Sequence, residues 1–114
     1  MKLDGKIAIV TGCNGEFGSA IVPGFAAEGC AVACVDFKQT DADAAAEKVR
    51  QKGRRALSIA IDLRKRDEIE AMAAQVVDAF GRIDILVNTT MASHNQEFLN
   101  FEEEDFYDSL SRGV

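Results

Sequence analysis

The 114 residues include no tryptophan, one tyrosine, one proline and one histidine. Each shortage closes off some chemistry. His94 is the single histidine, and no Cys-x-x-Cys or His-x-x-x-His spacing occurs, so no metal site is expected. There is no lysine- or arginine-rich run, and the net charge is −6. A phosphate backbone needs local positive charge, so nucleic acid is not an expected partner. No apolar stretch approaches the ~20 residues of a membrane span, and the first residues do not read as a signal peptide. A membrane partner is not expected either. The three cysteines do not form a disulfide framework. Cys30 and Cys34 fall on one expected strand, about 13 Å apart at the usual rise. A disulfide tolerates only about 7 Å between Cα atoms. Reduced thiols and a cytoplasmic location follow as the expectation.

What is present is an apolar, evenly punctuated chain. Hydrophobic residues make up 47%, which argues against disorder. The length suits one domain over 1–114, burying roughly two-thirds of its extended surface.

Strand and helix patterns alternate with few gaps. "KIAIVT" (6–11) is a short apolar run before a glycine. "SAIVPGFAAEG" has helical character and stops at Gly29, although Pro23-Gly24 interrupts it and a kink is expected. "CAVACVD" (30–36) is a second buried-type strand. "TDADAAAEKVRQKG" opens with Thr40 as an N-cap, carries Ala42, Ala45, Ala46 and Val49 as an apolar stripe, and stops at Gly53. "RALSIAID" (55–62) is a third strand. A helix from Asp67 to Phe80 shows Ile69, Met72, Ala73, Val76 and Phe80 at steps of three and four. "RIDILVN" (82–88) is a fourth strand, and "FEEEDFYDSLSR" (101–112) a fourth helix with Phe101, Phe106 and Leu110 inward. Such alternation implies α/β architecture, a parallel sheet covered on both faces with right-handed crossovers.

The bend after the first strand reads Thr11-Gly12-Cys13-Asn14-Gly15-Glu16-Phe17-Gly18. Glycines in a strand-to-helix turn allow a tight reversal, backbone contact with a pyrophosphate, and close seating of the helix. The helix N-terminus then offers free N–H groups to an anion.

With these residues in view, the chain resembles the short-chain dehydrogenases/reductases, whose pattern here is TGxxxGxG. Thr11, Gly12 and Gly18 match, while Glu16 stands at the middle glycine and Gly15 is displaced by one. "GCAVACVD" is similar to the family's second strand, which ends in an acid. "AIDLRKRDEIEAMAAQVVDAFGRIDILVN" is similar to its third strand, helix and fourth strand. The resemblance runs along the whole chain. It implies a Rossmann-like three-layer α/β/α sandwich, truncated, with about four parallel strands in order 3-2-1-4.

The resemblance also implies a site for NAD. Gly12 and Gly18 would shape the pyrophosphate turn, with Asn14, Gly15 and Phe17 in the same bend. Asp36 would accept hydrogen bonds from the adenine ribose hydroxyls and repel a 2′-phosphate, favouring NAD over NADP. Phe37 beside it adds no positive charge. Asp62 and Leu63 would meet the adenine, and Asn88 would pass the second ribose.

Three departures from the family pattern stand out. Glu16 brings a carboxylate toward the diphosphate, or complements its helix dipole. Met91 stands where the family has a ribose-side glycine, or fills space under a loop. No Tyr-x-x-x-Lys occurs: Tyr107 is followed four residues later by Ser111, so no catalytic residue is assigned and the chain is expected to be inactive alone. Asp36 and Asp62 have plainer readings, as a strand end and a turn start. Cys13 is read as an inert thiol and His94 as a solvated loop residue.

If the order is 3-2-1-4, "ILVN" forms an open apolar edge, and such edges pair with something or aggregate. A homodimer or higher homo-oligomer through strand four, the last helix, or both is therefore expected. The competing functions are a non-catalytic oligomerising or nucleotide-sensing Rossmann-like protein, and a flavodoxin-like module for a mononucleotide.

Overall fold

The computed structural model describes residues 2–89. Seven elements follow one another: β1 (Ile7–Thr11), α1 (Gly18–Ala27), β2 (Ala31–Asp36), α2 (Gln39–Gln51), β3 (Ala56–Ala60), α3 (Arg66–Phe80) and β4 (Ile85–Asn88). The strands form one parallel sheet in the order β3-β2-β1-β4. This is the order and direction expected from the sequence.

The pleat divides the core in two. Ile7 and Ile9 of β1 and Ala31, Ala33 and Val35 of β2 point to one face, where α3 delivers Ile69, Met72, Ala73 and Val76. Ala8, Val10, Val32 and Cys34 point to the other, under α1 and α2. There Val22, Ala26, Ala42, Ala45, Ala46 and Val49 cover them. Helices lie on both faces, giving three layers. Every residue of β1 is buried, as a central strand of a covered sheet requires. Each fully buried Val or Ile contributes roughly 1.5–3 kcal/mol of transfer free energy.

Several local expectations are corrected. Helix α1 runs through Pro23 without a break. Proline lacks the N–H that would meet the Ser19 carbonyl in a regular helix, and Ser19 is partly exposed. Helix α2 begins at Gln39 behind an extended Lys38, so Thr40 is inside the helix and is not its cap. Strands three and four are shorter than expected. Arg55 falls just before β3: its carbonyl still accepts the Val32 N–H at 3.1 Å, while its guanidinium lies 4.9 Å from the Phe80 ring. Arg82 turns back to Asp84 at 2.9 Å and to the Gly5 carbonyl at 2.9 Å. The helix stops hold: Gly29 and Gly53 have φ of 98° and 77°, the left-handed conformation glycine adopts at no steric cost. The expected fourth helix, Met91 and His94 lie outside the described residues.

Candidate functional site

The C-terminal ends of β1, β2, β3 and β4 share one rim of the sheet, and the glycine bend crosses it between β1 and α1. In open α/β sheets, ligands bind outside that rim where the strand order reverses. Here the reversal lies at β1, between β2 and β4.

The bend is built on two glycines. Gly12 has φ +66°, and a methyl there would stand 2.7 Å from the Thr89 hydroxyl. Gly18, first residue of α1, lies against the turn itself. A methyl there would overlap the Gly12 carbonyl oxygen and sit 2.8 Å from the Cys13 carbonyl carbon. Both glycines are therefore required by the chain's own packing. Gly15 donates its N–H to the Gly12 carbonyl at 3.0 Å and accepts from Ser19 N at 2.9 Å, closing the loop into the helix.

Asp36 ends β2 beside the bend. Its Oδ2 accepts the Asn14 N–H at 3.2 Å and its Oδ1 the Phe37 N–H at 2.8 Å. Asn14 Nδ2 in turn donates to Asp41 Oδ1 at 3.2 Å. The carboxylate thus has a fixed pose on the rim. Phe17 and Phe37 are 69% and 65% exposed, and among the described residues no other large apolar side chain stands so open. Phe17 belongs to the bend and Phe37 directly follows Asp36. Glu16 is exposed in the bend.

Cys13 is buried beneath the loop, its thiol 3.9 Å from Asp36 Oδ2. The neighbouring Cys34 thiol, burial and the Asp36 charge together push its pKa far up. It stays protonated and inert, as read from the sequence. Cys30 and Cys34 are also buried free thiols.

Asn88 accepts the Thr11 hydroxyl at 3.0 Å, placing the end of β4 against the end of β1. The next residue, Thr89, was not singled out by sequence reasoning. Its hydroxyl donates to the Thr11 carbonyl at 2.6 Å and is 3.0 Å from the Gly12 carbonyl. It follows the Asn directly, and that adjacency was the available signal.

Asp62 and Leu63 follow β3 at the same rim. Leu63 packs against the α3-side core. Asp62 is gripped by Arg64, whose Nε and Nη2 reach Oδ1 and Oδ2 at 3.0 and 2.9 Å, while the Arg64 N–H adds a third bond at 2.9 Å. The Arg64 side chain, followed by its backbone N–H, holds the Asp62 carboxyl down at about 2. The turn-starting role of Asp62 is thus visible in its bonds. Among the described residues no group of three or more His, Cys, Asp or Glu could hold a metal ion. Among them, too, no helix is long and apolar enough to cross a membrane.

A model of the short chain dehydrogenases matches residues 6–113. The chain belongs to that family. Among short-chain dehydrogenases, 2-dehydro-3-deoxy-D-gluconate 5-dehydrogenase of Escherichia coli is 37% identical over 113 residues, covering 99% of this chain and 44% of that protein. The fold is likewise shared with solved structures. NAD+-bound xylitol dehydrogenase superposes with TM-score 0.77 at 26% identity, covering 100% of this chain and 48% of that one. A 7α-hydroxysteroid dehydrogenase complexed with NADH gives TM-score 0.76 at 26% identity, over 97% of this chain and 47% of that one. The chain thus spans less than half the length of these short-chain dehydrogenases.

Proposed function

We propose that this chain is the dinucleotide-binding half of an NAD-dependent short-chain oxidoreductase. The observation that carries the reading is the pose of Asp36. Its carboxylate ends β2 and is tied to the glycine bend through the Asn14 N–H at 3.2 Å. Hydrogen-bond acceptors there suit the vicinal hydroxyls of an adenosine ribose. The Gly12–Gly18 turn would bring backbone N–H groups to the diphosphate, with Asn14, Gly15 and Phe17 around it. Phe37 would lie beside the adenosine, Asp62 and Leu63 at the adenine edge, and Asn88 near the second ribose. The bound cofactor would supply or accept hydride.

Residues 1–114 hold no Tyr-x-x-x-Lys, so we propose that the isolated chain binds cofactor without turning over an alcohol or ketone. Glu16 weakens binding at the diphosphate end. The buried free thiols support a reducing, cytoplasmic setting.

Assembly is a second part of the reading. Among the described residues β4 pairs only with β1, and its four residues are half-buried. We propose a homodimer or larger homo-oligomer that covers this edge, the last helix, or both.

Calorimetric titration of the full chain with NAD, NADP and FMN tests the function. Binding of NAD above NADP and FMN is expected. Failure to bind NAD leaves the non-catalytic oligomerising reading. Preference for FMN favours a mononucleotide module.

A further inference from the structure

Four charged features surround the place where a 2′-phosphate would distinguish NADP from NAD, and they do not agree in sign. Two favour an anion. Helix α2 points its N-terminus at the rim, and its N-cap Lys38 makes no side-chain capping bond, leaving the positive end of the helix unscreened by a cap. Lys38 itself is an exposed cation two residues beyond Asp36. Two oppose it: Asp36, and Asp41 in the first turn of α2.

Asn14 holds both carboxylates. Its N–H donates to Asp36 Oδ2 and its Nδ2 to Asp41 Oδ1, each at 3.2 Å. One residue of the bend therefore keeps two negative charges on the same side of the rim. Charges held by the two ends of one asparagine are near enough that a phosphate ester bound at this rim would feel both across the ~8–10 Å screening length of ordinary buffers. Asp41 also sits in the turn whose dipole would otherwise favour the phosphate, and offsets it.

We infer that Asp41, positioned by Asn14, is a second determinant of the preference for NAD, acting beside Asp36 against the pull of Lys38 and the α2 N-terminus. The inference rests on reading this rim as the adenosine-ribose site. A neutral ribose hydroxyl gains nothing from removal of the Asp41 charge, whereas a dianionic ester does. Asp41 is thus a specificity residue, with Asn14 positioning it and neither taking part in hydride transfer.

The test is titration of the full chain and of Asp41→Asn with NAD and with NADP at two salt concentrations. The amide oxygen of the variant can still accept from Asn14, so the bend keeps its shape. NAD affinity should stay unchanged while NADP affinity rises about fivefold at low salt, less at high salt. Adding Lys38→Ala should reverse that gain. An unchanged NADP-to-NAD ratio in Asp41→Asn, with NAD still bound, overturns the inference alone. Binding of neither nucleotide by the parent chain overturns the ribose reading and this inference with it.

Discussion

Asp84 accepts the backbone N–H of Ile7 through Oδ2 at 2.8 Å, across 77 positions of sequence. The same carboxylate takes Arg82 Nε at 2.9 Å. Arg82, then the Ile7 N–H, hold its carboxyl below the usual carboxylate range. This clasp fastens the start of β4 to the start of β1, at the opposite end of the sheet from the glycine bend. Asp84→Ala leaves the Ile7 donor without its partner, and should cost about 1–2 kcal/mol. Urea unfolding monitored by circular dichroism checks this, with the midpoint lowered and the slope unchanged.

Gly18→Ala and Gly24→Ala form a matched pair on one helix. A methyl at Gly18 overlaps the Gly12 carbonyl, whereas one at Gly24 meets nothing within 4 Å. The first should cost at least 1–3 kcal/mol, roughly the range for overpacking, and abolish NAD binding. The second should stabilise by about 0.5–1 kcal/mol, because Gly24 is an exposed position inside α1. Thermal melts of the two variants should move in opposite directions.

The Asp62–Arg64 grip predicts an acid limb. The Asp62 carboxyl lies at about 2, below its ordinary 3.8. A depressed folded value means the stabilisation is complete above about pH 4 and is lost as pH falls toward 2. Asp62→Asn should flatten that part of the melting-temperature profile and leave the neutral range nearly unaltered, since an exposed pair contributes little. An identical acid limb in the variant would assign the loss to other carboxylates.

Glu16→Gly addresses the bend's one negative charge. Removing a carboxylate about 4 Å from a phosphate charge relieves about 1 kcal/mol in a water-like setting, close to fivefold in affinity. NAD should bind more tightly to the variant by calorimetry. No gain would assign Glu16 to the α1 dipole instead.

How much of this was legible depended on the range of the forces involved. The strands were readable because Ile7–Thr11 and Ala31–Asp36 are buried on both faces, leaving nearly unbroken apolar runs. The stripes Ala42-Ala45-Ala46-Val49 and Ile69-Met72-Ala73-Val76 were readable because one helix face meets one sheet face. Element ends were less so. Thr40 has the chemistry of a cap, but the chain is already helical from Gln39. Arg55 and Arg82 were read into strands, yet β3 starts at Ala56 and β4 at Ile85. Asp36 was found through the resemblance of "GCAVACVD" to the family's second strand, which ends in an acid. Its link through Asn14 to Asp41 was not, since a hydrogen bond spanning 27 positions has no periodicity. Pro23 did not interrupt α1: the N–H it lacks would have met the carbonyl of Ser19, a partly exposed residue.

The Thr89 hydroxyl, anchored on the carbonyls of Thr11 and Gly12, makes the first strand-to-helix turn of the protein depend on a residue made late. A peptide cut before position 89 retains the residues of every strand of the described sheet yet surrenders the peg that steadies the glycine loop proposed for the diphosphate. Nucleotide affinity and sheet integrity are then separable properties, and substitutions at Thr89 should disturb the former while sparing the latter.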